Sequence, residues 1–298
     1  MKRTVILCAA FFSVSAFAAD KPPQHFKPSG PWAMEYADEG CRLIRNFSDG
    51  KMELTFALER YALEPMLRLG LTGKGLVAAR NASEIQFRWG DETPRKSNLL
   101  VSTLTDGRSA YLFPSFALNE PEHQPPPPKP WPYVSPPGKP LPELLKAEKE
   151  TAGRTMAITI TKGFPAPLQF DVGKMTAPIE AMQKCAEDLV SGWGVDIGRL
   201  TTQSRPATPA NDPRRWVTPD DYPASAVRAS IGGMVRARLI IGTDGKIEKC
   251  MVDMAVRGPF EQVVCNNIVI RAKFAPALDA EGKSFRTYVA QTWLFSMP

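Results

Sequence analysis

The chain has 298 residues, 43% of them hydrophobic and 23% charged, a composition that describes an ordinary globular protein with room for two domains. Its net charge of +6 is a mild surplus that a solvated basic surface explains, so the composition gives no reason to expect a nucleic-acid partner. Twenty-nine prolines are unusual, and they cluster.

Residues 1–19 read as a secretory signal. Lys2 and Arg3 form a basic start, Thr4 to Phe17 an apolar run, and Ala16, Phe17 and Ala18 a small-residue cleavage site, with cutting expected after Ala18 or Ala19. The alternative is an uncleaved inner-membrane anchor, against which the apolar run falls short of the roughly 20 residues that cross a bilayer. Residues 20–31, rich in Pro and Lys, read as a flexible leader. A β-rich domain is then expected over 32–200. Its strand candidates are Trp32–Tyr36, Cys41–Arg45, Met52–Leu58, Met66–Leu71, Glu84–Trp89, Leu99–Leu104 and Ala110–Phe116, with Asp- and Gly-bearing turns near 38–40 and 48–50. The stretch 121–142 carries so many prolines that it sustains neither helix nor central strand, and it reads as a polyproline-like insertion. Because a helical stretch at Leu144–Ala152 and strands at Thr155–Thr161 and Leu168–Val172 follow it, the insertion lies inside the domain. Met175–Gly194 is a helix with Ile179, Met182, Leu189 and Val190 on one side. A Pro-punctuated linker covers 201–221, and the Arg214-Arg215-Trp216 run within it reads as solvated linker.

The last quarter changes character. A short helix near Tyr222 precedes Val235, Ala237, Leu239 and Ile241, which alternate with Arg236 and Arg238 as a strand does. Asp244-Gly245 marks a hairpin turn, and Ile247–Met254 the return strand. Phe260, Val263, Val264, Ile268 and Arg271 fall at helical spacing, Phe274-Ala275-Pro276-Ala277 ends that helix, and Phe285–Phe295 is a closing strand rich in Thr, Tyr, Val and Trp. The expected fold class is α+β: a mostly antiparallel β domain with a C-terminal helix, then a small ββαβ domain over 222–298.

Export would place the cysteines in an oxidising compartment, and cleavage would remove Cys8. Cys41, Cys185, Cys250 and Cys265 remain, an even number that allows three pairings. Cys250 and Cys265 lie on adjacent elements of one unit and Cys41 and Cys185 bracket the other, so Cys41–Cys185 with Cys250–Cys265 is the economical arrangement. No CxxC pair occurs and the two histidines, His25 and His123, lie near prolines, so no metal site and no cofactor are expected.

Tyr222-Pro223 with Ala226, Gly233-x-Val235, Asp244-Gly245, Phe260-Glu261, Phe274-x-Pro276-Ala277 and a strand closing on Trp293 and Phe295 together resemble the C-terminal domain of TonB. That resemblance covers about a quarter of the chain, and residues 32–200 resemble no named family. It implies a protein partner, a TonB-dependent outer-membrane receptor, bound by adding a segment to a sheet edge. The implied edge is Arg286–Phe295, with Arg286, Tyr288, Val289, Gln291 and Trp293 in contact and Arg236, Arg238 and Arg271 lending charge nearby. A TonB-type energy transducer would keep an uncleaved anchor and a long spacer, and this chain departs from both. The cysteine pair within the unit is a further departure and suggests a locked module.

Catalytic signatures are missing: there is no Gly-x-Ser-x-Gly elbow, phosphate loop or HExxH, and no histidine is placed to serve a triad. Glu180, Glu187 and Asp188 read as a solvated helix side. The expectation is an exported, periplasmic interaction protein and not an enzyme. The alternatives are an anchored energy transducer for transmembrane transport, which would associate with the membrane, and an envelope enzyme with its site in 32–200.

Overall fold

The computed structural model describes residues 21–37, 39–79, 82–118, 140–252 and 259–295. The expected signal (1–19) and nearly all of the Pro-rich insertion (121–142) lie outside them. The first unit contains β1 (Gln24–Pro28), β2 (Ala33–Ala37), β3 (Gly40–Ser48), β4 (Glu53–Arg60), β5 (Met66–Gly73), β6 (Glu84–Trp89), β7 (Arg95–Asn98), β8 (Leu100–Thr103) and β9 (Ser109–Ala117). Then come α1 (Leu141–Arg154), β10 (Ile158–Lys162), β11 (Leu168–Phe170), α2 (Thr176–Gly192) and α3 (Ile197–Thr201). After β12 (Thr208–Pro209) and two 3-10 turns, the second unit runs through α4 (Ala224–Arg228), β13 (Gly233–Ile241), β14 (Ile247–Val252) and α5 (Phe260–Arg271). It ends with β15 (Phe274–Ala275), β16 (Ala277–Leu278), β17 (Ser284–Phe285) and β18 (Thr287–Phe295). The expected α+β class, mostly β, is what is found.

Eleven strands of the first unit form one sheet in the order β7-β6-β10-β11-β1-β3-β4-β5-β9-β8, with β2 also on β3. The two ends of that path, β7 and β8, are joined through buried Leu99, so the sheet curls round on itself. Alternation explains the interior: Leu54, Phe56 and Leu58 of β4 and Leu67, Leu69 and Leu71 of β5 point into one core, their neighbours outward. An aromatic cluster of Phe26, Phe47, Phe56 and Phe170 sits at its centre. α2 lies against β3 and β2, burying Ile179, Met182 and Val190, and α1 packs on α2.

Two segments differ from the sequence-based expectation. The leader over 20–31 is not flexible where described: Lys27 and Pro28 pair with the end of β3, Gln24–Phe26 pair in parallel with β11, and Phe26 is 0% exposed. The prolines at 22, 23 and 28 hid this strand: two precede it and the third is its last residue, so Gln24–Phe26 between them stay free to pair. The stretch 201–221 is likewise not a solvated linker. β12 pairs with β15, and Trp216 is 0% exposed in the second unit's core, its ring tilted against Phe274 at 5.1 Å and its indole N–H donating to Asn211.

Cys41 and Cys185 come to disulfide distance, with their Cα atoms 6.0 Å apart, and so do Cys250 and Cys265, at 5.6 Å. These are the pairs expected from the sequence. The first ties β3 to α2 in the buried core, and the second ties β14 to α5. Below Cys41, Arg60 and Glu148 form an ion pair with side chains 0% and 1% exposed, and the Gln183 amide donates to the other Glu148 oxygen at 2.7 Å.

Candidate functional site

The second unit is a three-stranded antiparallel sheet, β14-β13-β18, with α5 on one face. α5 presents Phe260, Val264 and Ile268, four residues apart and therefore on one stripe, to Val235, Ala237, Leu239 and Ile241 of β13. The β13–β14 turn depends on Gly245, whose φ is 80° and whose missing Cβ leaves room for the Phe274 carbonyl; a Cβ there would lie 2.1 Å from that oxygen.

β18 pairs with β13 in unbroken register from Thr287↔Ile241 to Phe295↔Gly233. Among the described residues no strand pairs with its other side. Nine residues of backbone therefore form a sheet edge, the geometry that strand addition requires. Val289, Gln291 and Trp293 lie on the α5 face, and Val289 and Trp293 pack on the second core. Thr292, exposed, points to the opposite side.

Tyr288 is on that opposite side too, where the first unit covers the sheet. Its hydroxyl donates to the Leu63 carbonyl at 2.6 Å, and its ring meets Trp193 edge to face at 5.5 Å. Burial pushes its phenol pKa up, although Arg236, Arg60 and Arg238 pull the other way.

The expected basic rim is not there. Arg236 and Arg238 are on the central strand β13, beneath the sheet and not beside its edge. Arg236 forms an ion pair with Glu64 of the first unit. Arg238 is 1% exposed, donates to the carbonyls of Tyr61 at 3.1 Å and Glu39 at 3.3 Å, and lies 4.1 Å over the Trp193 ring. Arg271, at the end of α5, grips both oxygens of Asp221 at 2.6 and 3.0 Å. That grip, with Thr218 donating to the same carboxylate, holds the Asp221 pKa at about 2. Arg286, just before β18, is half-exposed and pairs with Glu248 of β14 at 2.7 Å, across the central strand from the β18 edge. Its guanidinium occupies the space a Cβ on Gly194 would fill, and Gly194 has a φ of 76° at the end of α2. The physical reason for the correction is period two: Arg236 and Arg238 share a sheet face, and that face is an interface between the two units.

Sequence reasoning missed Trp193, Tyr61, Glu64 and Asp221. A signal existed for Trp193, an aromatic at a helix end beside Gly194, but nothing local told which surface it would meet. Glu180, Glu187 and Asp188 are where they were expected, on the exposed side of α2, with Lys184 bridging the last two. Among the described residues no group of three or more His, Cys, Asp or Glu is placed to hold a metal ion, and no helix is long and apolar enough to cross a membrane.

Residues 218–297 match the family described as the Gram-negative bacterial TonB protein C-terminal, a range enclosing the segment on which the resemblance was based. No curated protein matches the chain.

Proposed function

We propose, taking residues 218–297 as a TonB-type C-terminal unit, that this chain is an exported periplasmic binding protein whose β18 edge takes up an extended segment of an outer-membrane receptor. The observation that carries this reading is the nine-residue strand β18, paired on one side only among the described residues. Affinity would come from backbone hydrogen bonds along the edge, with Gln291 and Trp293 on one side and Thr292 on the other selecting side chains. The proposed role is binding and not catalysis. Contacts of Arg236, Arg238 and Tyr288 with the first unit support a fixed module, presented in one orientation, over a force-transmitting arm.

The test uses the full chain, because Ala277, Phe285 and Tyr288 of the second unit pack on the first unit's core. Immobilised chain is exposed to detergent-solubilised outer membranes, and retained receptors are identified by mass spectrometry. A photo-crosslinker at Gln291 should give a receptor adduct, and Val289→Pro, which removes a backbone donor from β18 and distorts the strand, should abolish retention. Equal retention by a folded Val289→Pro variant would sink the proposal. Sequencing the N-terminus of the mature protein tests export: a start at Ala19 or Asp20 is expected, and a chain that retains Met1–Ala18 would favour an anchored transducer.

A further inference from the structure

We propose that the outer edge of β14, opposite β18, is a second strand-addition site for an extended peptide carrying an acidic and an apolar side chain two residues apart. Among the described residues β14 pairs with β13 alone. A trough of about 840 Å³ runs beside it and is lined by four successive residues, Lys249, Cys250, Met251 and Val252. Side chains of a strand alternate between faces, so four in succession line one hollow only when it follows the backbone edge. The trough is walled by the first half of α5, including Glu261 and Gln262, and by Glu39 of the first unit. A second hollow of about 320 Å³ shares Lys249 and Met251 and continues past Trp193 to Arg286. Among the described residues, the Lys249–Val252 part of the edge therefore borders a hollow and has no strand paired to it.

Register sets the chemistry of the occupant. Lys249 lies opposite Ile240 and Met251 opposite Arg238, so both project toward the first unit, whereas Cys250 and Val252 project toward α5. An added strand would place one side chain across from Lys249 and, two residues on, another across from Met251. Lys249 is exposed and makes no ion pair among the described residues, so its ammonium calls for an acid there, and Met251 calls for an apolar partner. The side chain between the two would face Gln262 and the Cys250–Cys265 pair, where a small polar residue fits.

The experiment measures fluorescence anisotropy of the full chain with a labelled seven-residue peptide of otherwise alternating threonine and serine, with glutamate and valine two residues apart. A matched peptide carries lysine in place of the glutamate. The glutamate peptide should bind about three- to ten-fold tighter, and Lys249→Glu should invert that preference. Hydrogen exchange should slow at the amides of β14 on binding, and Val289→Pro on β18 should leave binding unchanged, which separates this site from the receptor edge. Four results would overturn it: no saturable binding of either peptide; a preference that Lys249→Glu leaves intact; protection confined to β18; or a dimer that Lys249→Glu dissociates, which would make a second copy the occupant. Lys249 is exposed, so its variant keeps the fold, and circular dichroism checks that.

Discussion

Replacing Arg238 by Met should loosen the attachment of the second unit to the first. The guanidinium is 1% exposed, and its loss leaves the carbonyls of Tyr61 and Glu39 without this donor, at about 1–3 kcal/mol for a well-made bond and less for the 3.3 Å contact. It also removes the cation from 4.1 Å over the Trp193 ring, worth about 2 kcal/mol when desolvated. Against these stands the released cost of burying a charge, so the single variant is expected to lose about 2–4 kcal/mol. A cleaner quantity is the coupling between Arg238→Met and Trp193→Leu, which cancels the desolvation contribution shared by the single and double variants. We expect about 1–2 kcal/mol of coupling in guanidinium unfolding followed by circular dichroism, with the single wild-type transition splitting in two in the double variant. A coupling below about 0.5 kcal/mol, with one transition retained, would refute the idea that this contact joins the units.

Three further outcomes are expected. Glu148→Gln leaves the Arg60 charge buried beside a neutral amide and should cost about 3–5 kcal/mol in the same unfolding experiment, whereas replacing both partners by apolar residues should cost much less. Removing the Cys41–Cys185 pair by Cys41→Ala with Cys185→Ala should lower stability by about 4–5 kcal/mol, since it frees a loop spanning 144 residues in the unfolded chain. Asp221 has a folded pKa of about 2, below its unfolded value near 3.8. Its contribution is therefore fully present above the unfolded pKa and is lost as the pH falls toward 2. Discounted for the half-exposed Arg271, that contribution is about 1–2 kcal/mol, and Asp221→Asn should flatten the acid limb of a stability-against-pH curve.

Much of the second unit was legible because its signals are local. The alternation from Val235 to Ile241, the Asp244-Gly245 turn and the spacing of Phe260, Val264 and Ile268 each specify an element within a few residues. The cysteine pairing was legible for a related reason: strand and helix assignments already placed the partners in adjacent elements. What stayed hidden depends on contacts distant in sequence. Whether the arginine face of β13 met water or protein rested on Tyr61, Glu64 and Trp193, which come 45 to 177 residues before their arginine partners and carry no mark of their destination. Trp216 looked like linker because its neighbours are Pro and Arg, yet its partner Phe274 lies on the far side of the whole ββα unit. Of the proposed docking residues, the strand itself could be read; the state of the arginines around it could not.

The first described strand bears on the order in which the chain is made. β1 leaves the ribosome before any other described element, yet its parallel neighbour β11 begins only at Leu168. Until that segment has emerged, Phe26 lacks the Phe170 ring it stacks on at 5.2 Å, and the curled sheet has a gap between β3 and β11. Closure of the first unit is thus a late, long-range event, of the kind that slows folding. An exported chain with this topology would spend its transit open along one seam, with the aromatic cluster as the last part to shut.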